Sequence, residues 1–454
     1  MAELPRVVVA APATGQGKTT VATGLMAALA AAGHAVSGHK VGPDYIDPGY
    51  HALACGRPGR NLDPHLVGED LIAPLLLHGA TTPVPADIAV VEGVMGLYDG
   101  RIGGDGFSST AHVAALTRTP VVLVVDISRS SRSIGAVVHG MATWDPSVQV
   151  AGVILNQAGS LRHAEEVRSS ISLPVVGVIP RDASIATPSR HLGLVTAAER
   201  GDSQAVVARL AEVVAEHVDL GAVLAIARSA PPLAADPWSA DPAQIELENA
   251  PARRRLNRRR VAVAAGRAFT FRYAETAELL EAHGCAVVPF DPAADPSLPP
   301  GTAGLYLGGG FPEVHAADLA ANTPLLAEIR AAVLDGMPTV AECAGLLYLC
   351  RTLDGVPMAG VLGADAAMTE RLTLRYPVAT AIADTLLTRG GEQVTGHEFH
   401  RTTVTPATAG TPAWRIDGDD VGFASDTLHA SYLHTHWAGH PHLAARFAAA
   451  VHRG

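Results

Sequence analysis

The stretch Arg6-Val-Val-Val-Ala-Ala-Pro-Ala-Thr-Gly-Gln-Gly-Lys-Thr-Thr20 decides the fold of the first half of this chain. It begins as a short apolar strand, passes through a glycine-rich loop and enters a segment with a helical pattern. Gly15 and Gly17 let backbone amides approach phosphate oxygens, and the helix that follows presents its positive end to the same anion. The order strand, loop, Gly-Lys-Thr-Thr and helix therefore predicts a P-loop that binds ATP.

Within this loop we expect a division of labour among the side chains. Lys18 is expected to reach the terminal phosphates, and the Thr19 hydroxyl is expected to ligate Mg²⁺. Pro12 stands where the motif usually has its first glycine, so the loop is a variant. A helix-capping turn without a nucleotide is the competing interpretation. The predicted ATP-binding residues of the loop are Gly15, Gln16, Gly17, Lys18, Thr19 and Thr20.

The rest of the chain repeats this alternation of strands and helices. Apolar strands are predicted at 7–10, 88–91, 121–125, 150–155 and 175–179, and again at 260–265, 285–290, 304–307 and 339–341. Strands that are apolar throughout and separated by helices indicate parallel sheets covered on both faces. The predicted fold class is α/β, with two doubly wound parallel-sheet domains. We place them at 1–227 and 260–454, joined by a Pro-rich and basic linker at 228–259.

Composition limits the function classes. The 454 residues are 48% hydrophobic and 17% charged, which is typical of a globular protein of two domains. The net charge of −11 argues against a broad surface for nucleic acid or for an anionic membrane. The basic run at 253–260 is accordingly interpreted as a solvated face.

Cysteine usage and the apolar pattern indicate the compartment. The four cysteines have neither CxxC nor zinc-ligand spacing and are too few for a disulfide framework. We see no secretory pattern at the start and no apolar run of membrane-spanning length. The sequence predicts a cytoplasmic protein with no membrane partner. It does not fix the oligomeric state, for which a homodimer is one candidate.

Two further segments carry acidic residues next to predicted strands. The run Gly38-His-Lys-Val-Gly-Pro-Asp-Tyr-Ile-Asp-Pro-Gly-Tyr50 crowds Lys40 against two carboxylates, and Val90-Val-Glu-Gly-Val-Met-Gly-Leu-Tyr-Asp-Gly100 ends a buried strand with an acid. Open α/β sheets bind ligands at the carboxyl ends of their strands, and carboxylates there suit Mg²⁺. Turn capping without chemistry is the alternative. We predict Thr19, Asp44 and Glu92 as metal ligands, Lys40 and Asn156 as further ATP-binding residues, with Asn156 reading the base edge.

These segments, together with Gln16-Gly-Lys-Thr-Thr20 and Gly59-Arg-Asn-Leu-Asp63, resemble the cobyrinic acid a,c-diamide synthase family over nearly the whole chain. The first half also resembles dethiobiotin synthetase more distantly. The resemblance implies ATP- and Mg²⁺-dependent amidation of two acetate carboxylates on a corrin, with L-glutamine as nitrogen donor. It also implies that Tyr45, Asp47 and Asp99 belong to the substrate region of the synthetase site. The residues do not say whether the corrinoid polycarboxylate already contains cobalt.

The second half carries a candidate nucleophile in Met337-Pro-Thr-Val-Ala-Glu-Cys-Ala-Gly-Leu-Leu-Tyr348. Cys343 lies where a strand turns sharply into a helix, a position that exposes the sulfur and favours the thiolate. The earlier loop Leu307-Gly-Gly-Gly-Phe-Pro-Glu313 follows a strand and could supply backbone amides for an oxyanion hole. We therefore predict an oxyanion loop at Gly308, Gly309 and Gly310.

A thiolate of this kind needs a base, and histidines cluster at 397–400 and 434–436. His434 and His436 stand two residues apart on an extended segment, and only one of them is expected to meet Cys343. A zinc site is a competing reading of the cluster. This half resembles class I, triad-type glutamine amidotransferases of the cobyrinic and cobyric acid synthase branch, where Tyr-Leu-His carries the base. The resemblance implies the pair Cys343 and His434.

The usual His-x-Glu ending of triad amidotransferases is absent, so the third member is open, and Glu398 is one candidate. Two other functions stay open as well. The chain could be a nucleotide-switch ATPase, or an amidase acting on cobyric acid precursors or on a nickel tetrapyrrole. Only a glutamine-dependent enzyme requires Cys343.

Overall fold

The computed structural model describes residues 1–182, 189–190, 193–194, 202–242 and 258–454. It divides the chain into two compact units, Met1–Trp238 and Ser239–Gly454. The middle of the predicted linker and most of the basic run, at 243–257, lie outside the described residues. The start of the predicted linker packs on unit 1, where the Trp238 amide donates to the Pro74 carbonyl at 2.9 Å.

Unit 1 is built on one seven-stranded parallel sheet with the order β3-β2-β4-β1-β5-β6-β7. All five strands predicted in this half are present. Strands β1, β4 and β5 are buried almost throughout, because helices cover both faces. The strands are β1 Arg6–Ala10, β2 Val36–Val41, β3 Arg60–Leu62, β4 Ile88–Glu92, β5 Val121–Asp126, β6 Val150–Ala158 and β7 Val175–Pro180.

Helices connect these strands. A two-stranded hairpin, β8 Ser189–Arg190 and β9 Gly193–Leu194, and a 3₁₀ turn at Glu69–Leu71 complete unit 1 as described. The helices are α1 Lys18–Ala31, α2 Asp47–Cys55, α3 Pro64–Val67, α4 Ile72–Thr81, α5 Thr110–Leu116, α6 Ser133–Thr143, α7 Leu161–Arg168, α8 Ser203–His217 and α9 Leu220–Arg228.

The register of the central strands brings the predicted site residues to one edge of the sheet. In the parallel ladders Val9 lies opposite Glu92, and Lys40 lies opposite Glu92 from the other side. Parallel strands point their carboxyl ends the same way, so the P-loop after β1 opens beside Lys40 and Glu92.

Unit 2 contains a six-stranded sheet with the order β11-β10-β12-β13-β23-β22, parallel except for the edge strand β22. In the described ranges, no helix of either unit combines the length and apolarity needed to cross a bilayer. The strands are β10 Arg259–Ala264, β11 Cys285–Phe290, β12 Thr302–Leu307, β13 Thr339–Glu342, β22 Phe423–Ala424 and β23 Leu428–Ser431, and the helices are α10 Ala274–Ala282, α11 Ala316–Ala321, α12 Thr323–Leu334, α13 Ala344–Leu349 and α14 Pro441–Arg453.

The α/β class of both halves is confirmed, but unit 2 also holds two four-stranded, mainly antiparallel sheets that the sequence analysis did not predict. One face of such a strand is solvated, as the alternating burial of Glu398–Thr405 illustrates. These strands therefore lack the continuous apolar runs by which parallel strands are recognised. They are β14 Thr352–Leu353, β15 Val356–Pro357, β16 Asp365–Arg375, β17 Val378–Thr380, β18 Gln393–Thr395, β19 Glu398–Thr405, β20 Trp414–Ile416 and β21 Asp419–Val421.

Candidate active sites of the two units

The P-loop of unit 1 has the backbone that its glycines predict. Gly15 and Gly17 have φ values of 82° and 89°, a left-handed conformation that glycine adopts without strain. A Cβ at Gly17 would lie 2.2 Å from the Asn156 side-chain nitrogen, so the loop also needs glycine for space. Helix α1 begins directly afterwards at Lys18, while Thr19 and Thr20 are half-buried on its first turn.

The loop is held by two side-chain amides. The Gln16 carboxamide oxygen accepts a hydrogen bond from the Asp126 amide at 2.8 Å, and the Asn156 amide donates to the Gln16 carbonyl at 2.9 Å. The structure therefore brings Asn156 to the P-loop, where its amide nitrogen supports the loop itself. This bond uses one of the two N–H groups of the Asn156 amide, so a base edge would be read by the second N–H or by the carboxamide oxygen.

Lys18 points back over the loop. Its ammonium donates to the Ala13 carbonyl at 3.2 Å and to the Met95 carbonyl. Burial, and next the charge of Lys40, lowers the pKa of Lys18 to about 8. An ammonium held by carbonyls in this way is ready for a stronger anionic partner such as phosphate.

A compact charge cluster lies beside the P-loop at the carboxyl edge of the sheet. The Lys40 ammonium is 2.6 Å from Asp47 and 2.9 Å from Glu92, and it is 3% exposed. The Thr19 hydroxyl oxygen lies 2.5 Å from Glu92 and 3.2 Å from Asp47, so its single hydrogen is shared between the same two carboxylates, with Glu92 the nearer acceptor. Lys40 also donates to the Gly93 carbonyl at 3.1 Å, so its three N–H groups are all used and direct contact with a phosphate requires it to leave one of these three partners.

The pKa values in the cluster follow from burial and from neighbouring charge. Burial would lower the pKa of Lys40, but Asp47 and Glu92 outweigh it and raise the pKa. Burial, followed by the charges of Asp44 and Glu92, raises the pKa of Asp47 well above its usual range. The pKa of Glu92 is lowered, because Lys40 and His51 outweigh burial.

The geometry brings Asp47, and not the predicted metal ligand Asp44, into contact with Thr19. Asp44 uses one carboxylate oxygen to accept the amides of Ile46 and Asp47, at 2.8 and 3.0 Å, and its other oxygen is 3.9 Å from Lys40. Asp47 instead shares Thr19 with Glu92. The metal-ligand set that the geometry favours is therefore Thr19, Asp47 and Glu92, with Asp44 at its rim.

The two remaining predicted residues of this site lie near the cluster. Tyr45 is 8% exposed between Asp44 and Asp47 in the chain. The Asp99 carboxylate accepts the Gly96 amide at 2.9 Å, in a turn that follows β4 and lies against the Pro12 carbonyl. The charge of Asp99 also acts on Lys18, which places it at the mouth of the P-loop.

Sequence analysis missed His51. Its Nε2 atom is 2.7 Å from the second carboxylate oxygen of Glu92, and both side chains are fully buried. His51 lies on α2, one helical turn after Asp47. The spacing of four residues from Asp47 is the signal that could have placed it on the same helical face.

In unit 2, Cys343 lies on the predicted sharp turn between β13 and α13. Its φ is 49° and its ψ is −98°, a strained conformation for a residue with a side chain. The Cys343 amide donates to the Ser431 carbonyl at 2.8 Å, which ties the turn to β23. Next to it, a Cβ at Gly345 would lie 2.2 Å from the Leu307 carbonyl oxygen, so only glycine allows this approach.

Cys343 is itself buried, with 7% exposure, so its sulfur is less accessible than the turn predicted. The other three cysteines lie elsewhere in the fold. Cys285 and Cys350 are fully buried, and Cys55 lies at the end of α2. Burial raises the pKa of each of these thiols to about 12, which makes them inert at neutral pH.

The structure brings His434, and not His436, to Cys343. Burial would lower the pKa of His434, but its interactions with Cys343 and with Glu342 raise it to about 9. His436 faces Glu275 instead, at 3.6 Å, with both side chains buried. A regular strand would place residues two apart on the same face. The different directions of the two histidines arise because β23 ends at Ser431 and the segment that carries them is irregular, with His434 in an isolated bridge to His397.

Glu398, the acid named as a candidate third member, faces elsewhere. Its carboxylate is 2.7 Å from the Arg375 guanidinium. The acid beside His434 is Glu342, whose oxygen is 3.7 Å from the histidine Nδ1. Glu342 directly precedes Cys343 in the sequence, and this adjacency is the signal that could have identified it.

The loop at Gly308, Gly309 and Gly310 lies beside this pair. Gly309 is close to His434, since a Cβ there would lie 2.5 Å from the imidazole. However, the Gly309 amide donates to the Phe271 carbonyl at 3.0 Å. Gly309 is therefore occupied in this conformation, and Gly308 and Gly310 are the better oxyanion candidates in this loop.

Two family models match the chain in the same order as the two sites. Residues 7–195 match the CobQ/CobB/MinD/ParA nucleotide binding domain, and residues 260–442 match the CobB/CobQ-like glutamine amidotransferase domain. A nucleotide-binding domain joined to a glutamine amidotransferase domain defines an ATP-dependent ligase that takes amide nitrogen from glutamine.

Relatives match over almost the full length. A hydrogenobyrinate a,c-diamide synthase of Thermobifida fusca is 62% identical, over 99% of this chain and 97% of the relative. One of Streptomyces coelicolor is 53% identical, over 98% and 97%. A cobyrinate a,c-diamide synthase of Dehalococcoides mccartyi is 40% identical, over 98% and 97%. The chain belongs to the a,c-diamide synthase family that these relatives represent.

Proposed function

We propose that this enzyme converts the a and c acetate side chains of hydrogenobyrinic acid into amides, as a step of cobalamin biosynthesis, with ATP and glutamine. The observation that carries the proposal is the near full-length match to synthases named for the hydrogenobyrinate substrate. The relative named for cobyrinate, the cobalt-containing form, is less similar, at 40% against 62% and 53% identity. We therefore assign the metal-free ring as the preferred substrate.

Unit 1 is proposed to activate the carboxylate. A free carboxylate repels nucleophiles and has no competent leaving group, so transfer of the γ-phosphoryl group of ATP makes it reactive. Lys18 would neutralise charge on the transferred group, and Lys40 would hold the neighbouring acids in place. Ammonia then attacks the acyl carbon, phosphate leaves, and the nitrogen loses a proton to give the amide.

The donor set of this unit fits Mg²⁺. One hydroxyl and two carboxylates, those of Thr19, Asp47 and Glu92, converge on a point where an ammonium already lies. Within the described ranges, no group of three or more His, Cys, Asp or Glu could hold a metal by itself. Mg²⁺ commonly uses few protein carboxylates and completes its shell with water and phosphate oxygens. When bound, it would neutralise phosphate charge.

Unit 2 is proposed to release ammonia from glutamine. The Cys343 thiolate attacks the side-chain amide carbon, and the His434 imidazolium protonates the nitrogen that leaves as ammonia. Neutral His434 then takes a proton from water, which attacks the thioester to give glutamate and restores the thiol pair. The raised pKa of His434 favours the imidazolium that this first step needs.

Replacing Cys343 with Ala tests this assignment. Amidation with glutamine is expected to be lost, while amidation with free ammonia continues. A nucleotide-switch ATPase would hydrolyse ATP without either nitrogen source and would be unaffected. Oxygen-isotope label placed in the acceptor carboxylates is expected in inorganic phosphate after turnover, and its absence would exclude an acyl phosphate.

The ring assignment has its own test. Hydrogenobyrinic acid, cobyrinic acid, a cobyric acid precursor and a nickel tetrapyrrole are offered together to the purified enzyme, and the masses of the products are measured by mass spectrometry. The metal-free diamide is expected to dominate. Preference for the cobalt form, for a cobyric acid precursor or for a nickel tetrapyrrole would overturn the substrate assignment without touching the chemistry.

A further inference from the structure

The catalytic histidine of unit 2 has an acid beside it that comes from an unusual place in the chain. Glu342 is the last residue of β13 and directly precedes Cys343. In the parallel ladder it lies opposite Ser431, three residues before His434. One strand end therefore carries the nucleophile and an acid, and the neighbouring strand leads to the base.

The Glu342 carboxylate is fixed on both of its oxygens. One accepts the Tyr306 hydroxyl at 2.9 Å and lies 3.7 Å from His434 Nδ1. The other accepts the Thr435 hydroxyl at 3.1 Å and, more weakly, the Thr435 amide at 3.4 Å. With 5% exposure, this acid has little freedom to turn away from the histidine.

We propose that Glu342 is the positioning residue of the glutaminase site, holding His434 with Nδ1 toward the carboxylate so that Nε2 serves Cys343. It takes the role of the acid that triad amidotransferases carry two residues after the histidine and that this chain lacks. The inference rests on the proposed glutaminase function of Cys343 and His434. It adds the acid that orients the imidazole and stabilises its charge.

Among the groups that face His434, Glu342 is the one that can stabilise the positive charge of the imidazole. His397 stacks on the His434 ring at a centroid distance of 4.8 Å, and its Nε2 is 3.0 Å from the Tyr273 hydroxyl. Burial, assisted by the charges of His434 and Arg375, lowers the pKa of His400 to about 4, so it is neutral near pH 7.

Phe271 closes another side of the imidazole with an uncharged ring, 4.9 Å from it. Two groups therefore outweigh burial and raise the pKa of His434 to about 9, namely Cys343 and Glu342. Of these two, only Glu342 keeps its negative charge throughout the reaction.

The variant Glu342→Gln tests the role, because it keeps the shape and removes the charge. We expect glutaminase kcat/KM to fall about 100-fold, a conservative figure beside the loss seen when a triad acid becomes an amide. The alkaline limb of its pH profile should move down by at least about one pH unit, since His434 loses a neighbouring anion. Amidation with free ammonia should be unchanged.

The chain offers a matched control in Glu275→Gln. Glu275 is also a buried glutamate facing a buried histidine, with a separation of 3.6 Å against 3.7 Å. Its partner His436 does not serve Cys343, so the pH profile of glutaminase should keep its alkaline limb. An equal shift in both variants would mean that any buried charge has this effect, and it would overturn the proposal.

The variant Glu342→Asp separates charge from shape. It should keep the alkaline limb near that of the parent, while kcat falls less than in Glu342→Gln. If Glu342→Gln retains the parent rate and profile, Glu342 is no positioning residue, although the glutaminase function stands. If Cys343→Ala still uses glutamine, the glutaminase function itself fails.

Discussion

The two sites solve opposite electrostatic problems. The synthetase site of unit 1 gathers cations and anions, with Lys18, Lys40, Asp47 and Glu92 at the carboxyl edge of one sheet. The amidase site of unit 2 buries a thiol, an imidazole and one carboxylate. In the synthetase site, the ion pairs within the protein can be exchanged for contacts with ATP and Mg²⁺. In the amidase site, the carboxylate and the thiol keep a proton on the imidazole.

This difference teaches that the sites should fail in different ways. A network of several charges depends on each member for binding and phosphoryl transfer, whereas the amidase pair can be bypassed by supplying ammonia. The four predictions that follow run from the largest expected effect to the smallest.

Replacing Lys18 with Ala should cause the greatest loss. Amidation should fall by about 10³-fold or more with glutamine and with ammonia alike, the scale on which cations act in phosphoryl transfer. Rates with both nitrogen sources measure it. Cys343 alkylation by iodoacetamide should proceed as in the parent. If only the glutamine-dependent rate fell, the comparison between the two sites would fail, because Lys18 would then be needed for the glutaminase reaction of unit 2.

Replacing His51 with Leu should reduce amidation by about 10- to 100-fold with either nitrogen source, as expected when a partner of a metal ligand is removed. His51 holds one oxygen of Glu92. The half-saturating Mg²⁺ concentration should rise, which a purely structural role would not require. The control is His39→Asn, in which a buried histidine bonded to Ser37 is changed instead. Equal Mg²⁺ requirements in the two variants would contradict the assignment.

The pH dependence of the two units should separate in order. The pKa of Lys18 is lowered to about 8, so its positive charge is present below that pH and is lost above it. The pKa of His434 is raised to about 9, so its charge persists for one further pH unit.

As pH rises, ATP binding to the free enzyme should weaken first, approaching about tenfold per pH unit above pH 8. Titration calorimetry with ATP and a glutaminase assay over the same range measure the two limbs. The prediction would be wrong if glutaminase activity were lost at a lower pH than ATP affinity.

Replacing Cys350 with Ala should have the smallest effect on chemistry. Cys350 directly follows α13 and is fully buried in the core of unit 2, so we expect a loss of about 1 kcal/mol in the free energy of unfolding. Glutaminase activity should be kept, in contrast to Cys343→Ala. Thermal unfolding and the glutaminase assay measure both. A large loss of glutaminase in Cys350→Ala would show that unit 2 uses more than one thiol.

Much of the fold could be predicted from local pattern. Most strands of the two parallel sheets were predictable because burial on both faces makes them continuously apolar, as at Val121–Asp126. Two strands of unit 1, β2 and β3, were not predicted, because they are buried but carry polar residues. The antiparallel strands between Thr352 and Val421 were not, since short strands with one solvated face look like loop in a single sequence. The contacts of Asp44 and Asp47 could not be predicted either, because they depend on which of the two carboxylates accepts the backbone amides of the turn.

By itself the sequence determined the two units, the P-loop and the turn at Cys343, because each depends on residues that are close in the chain. Only the tertiary structure decided that Asp47 joins Thr19 and Glu92, that His51 supports Glu92, and that Glu342 faces His434. These pairings are set by the parallel register of strands far apart in the sequence. A linear pattern says which face a side chain takes, but not which distant side chain lies opposite it.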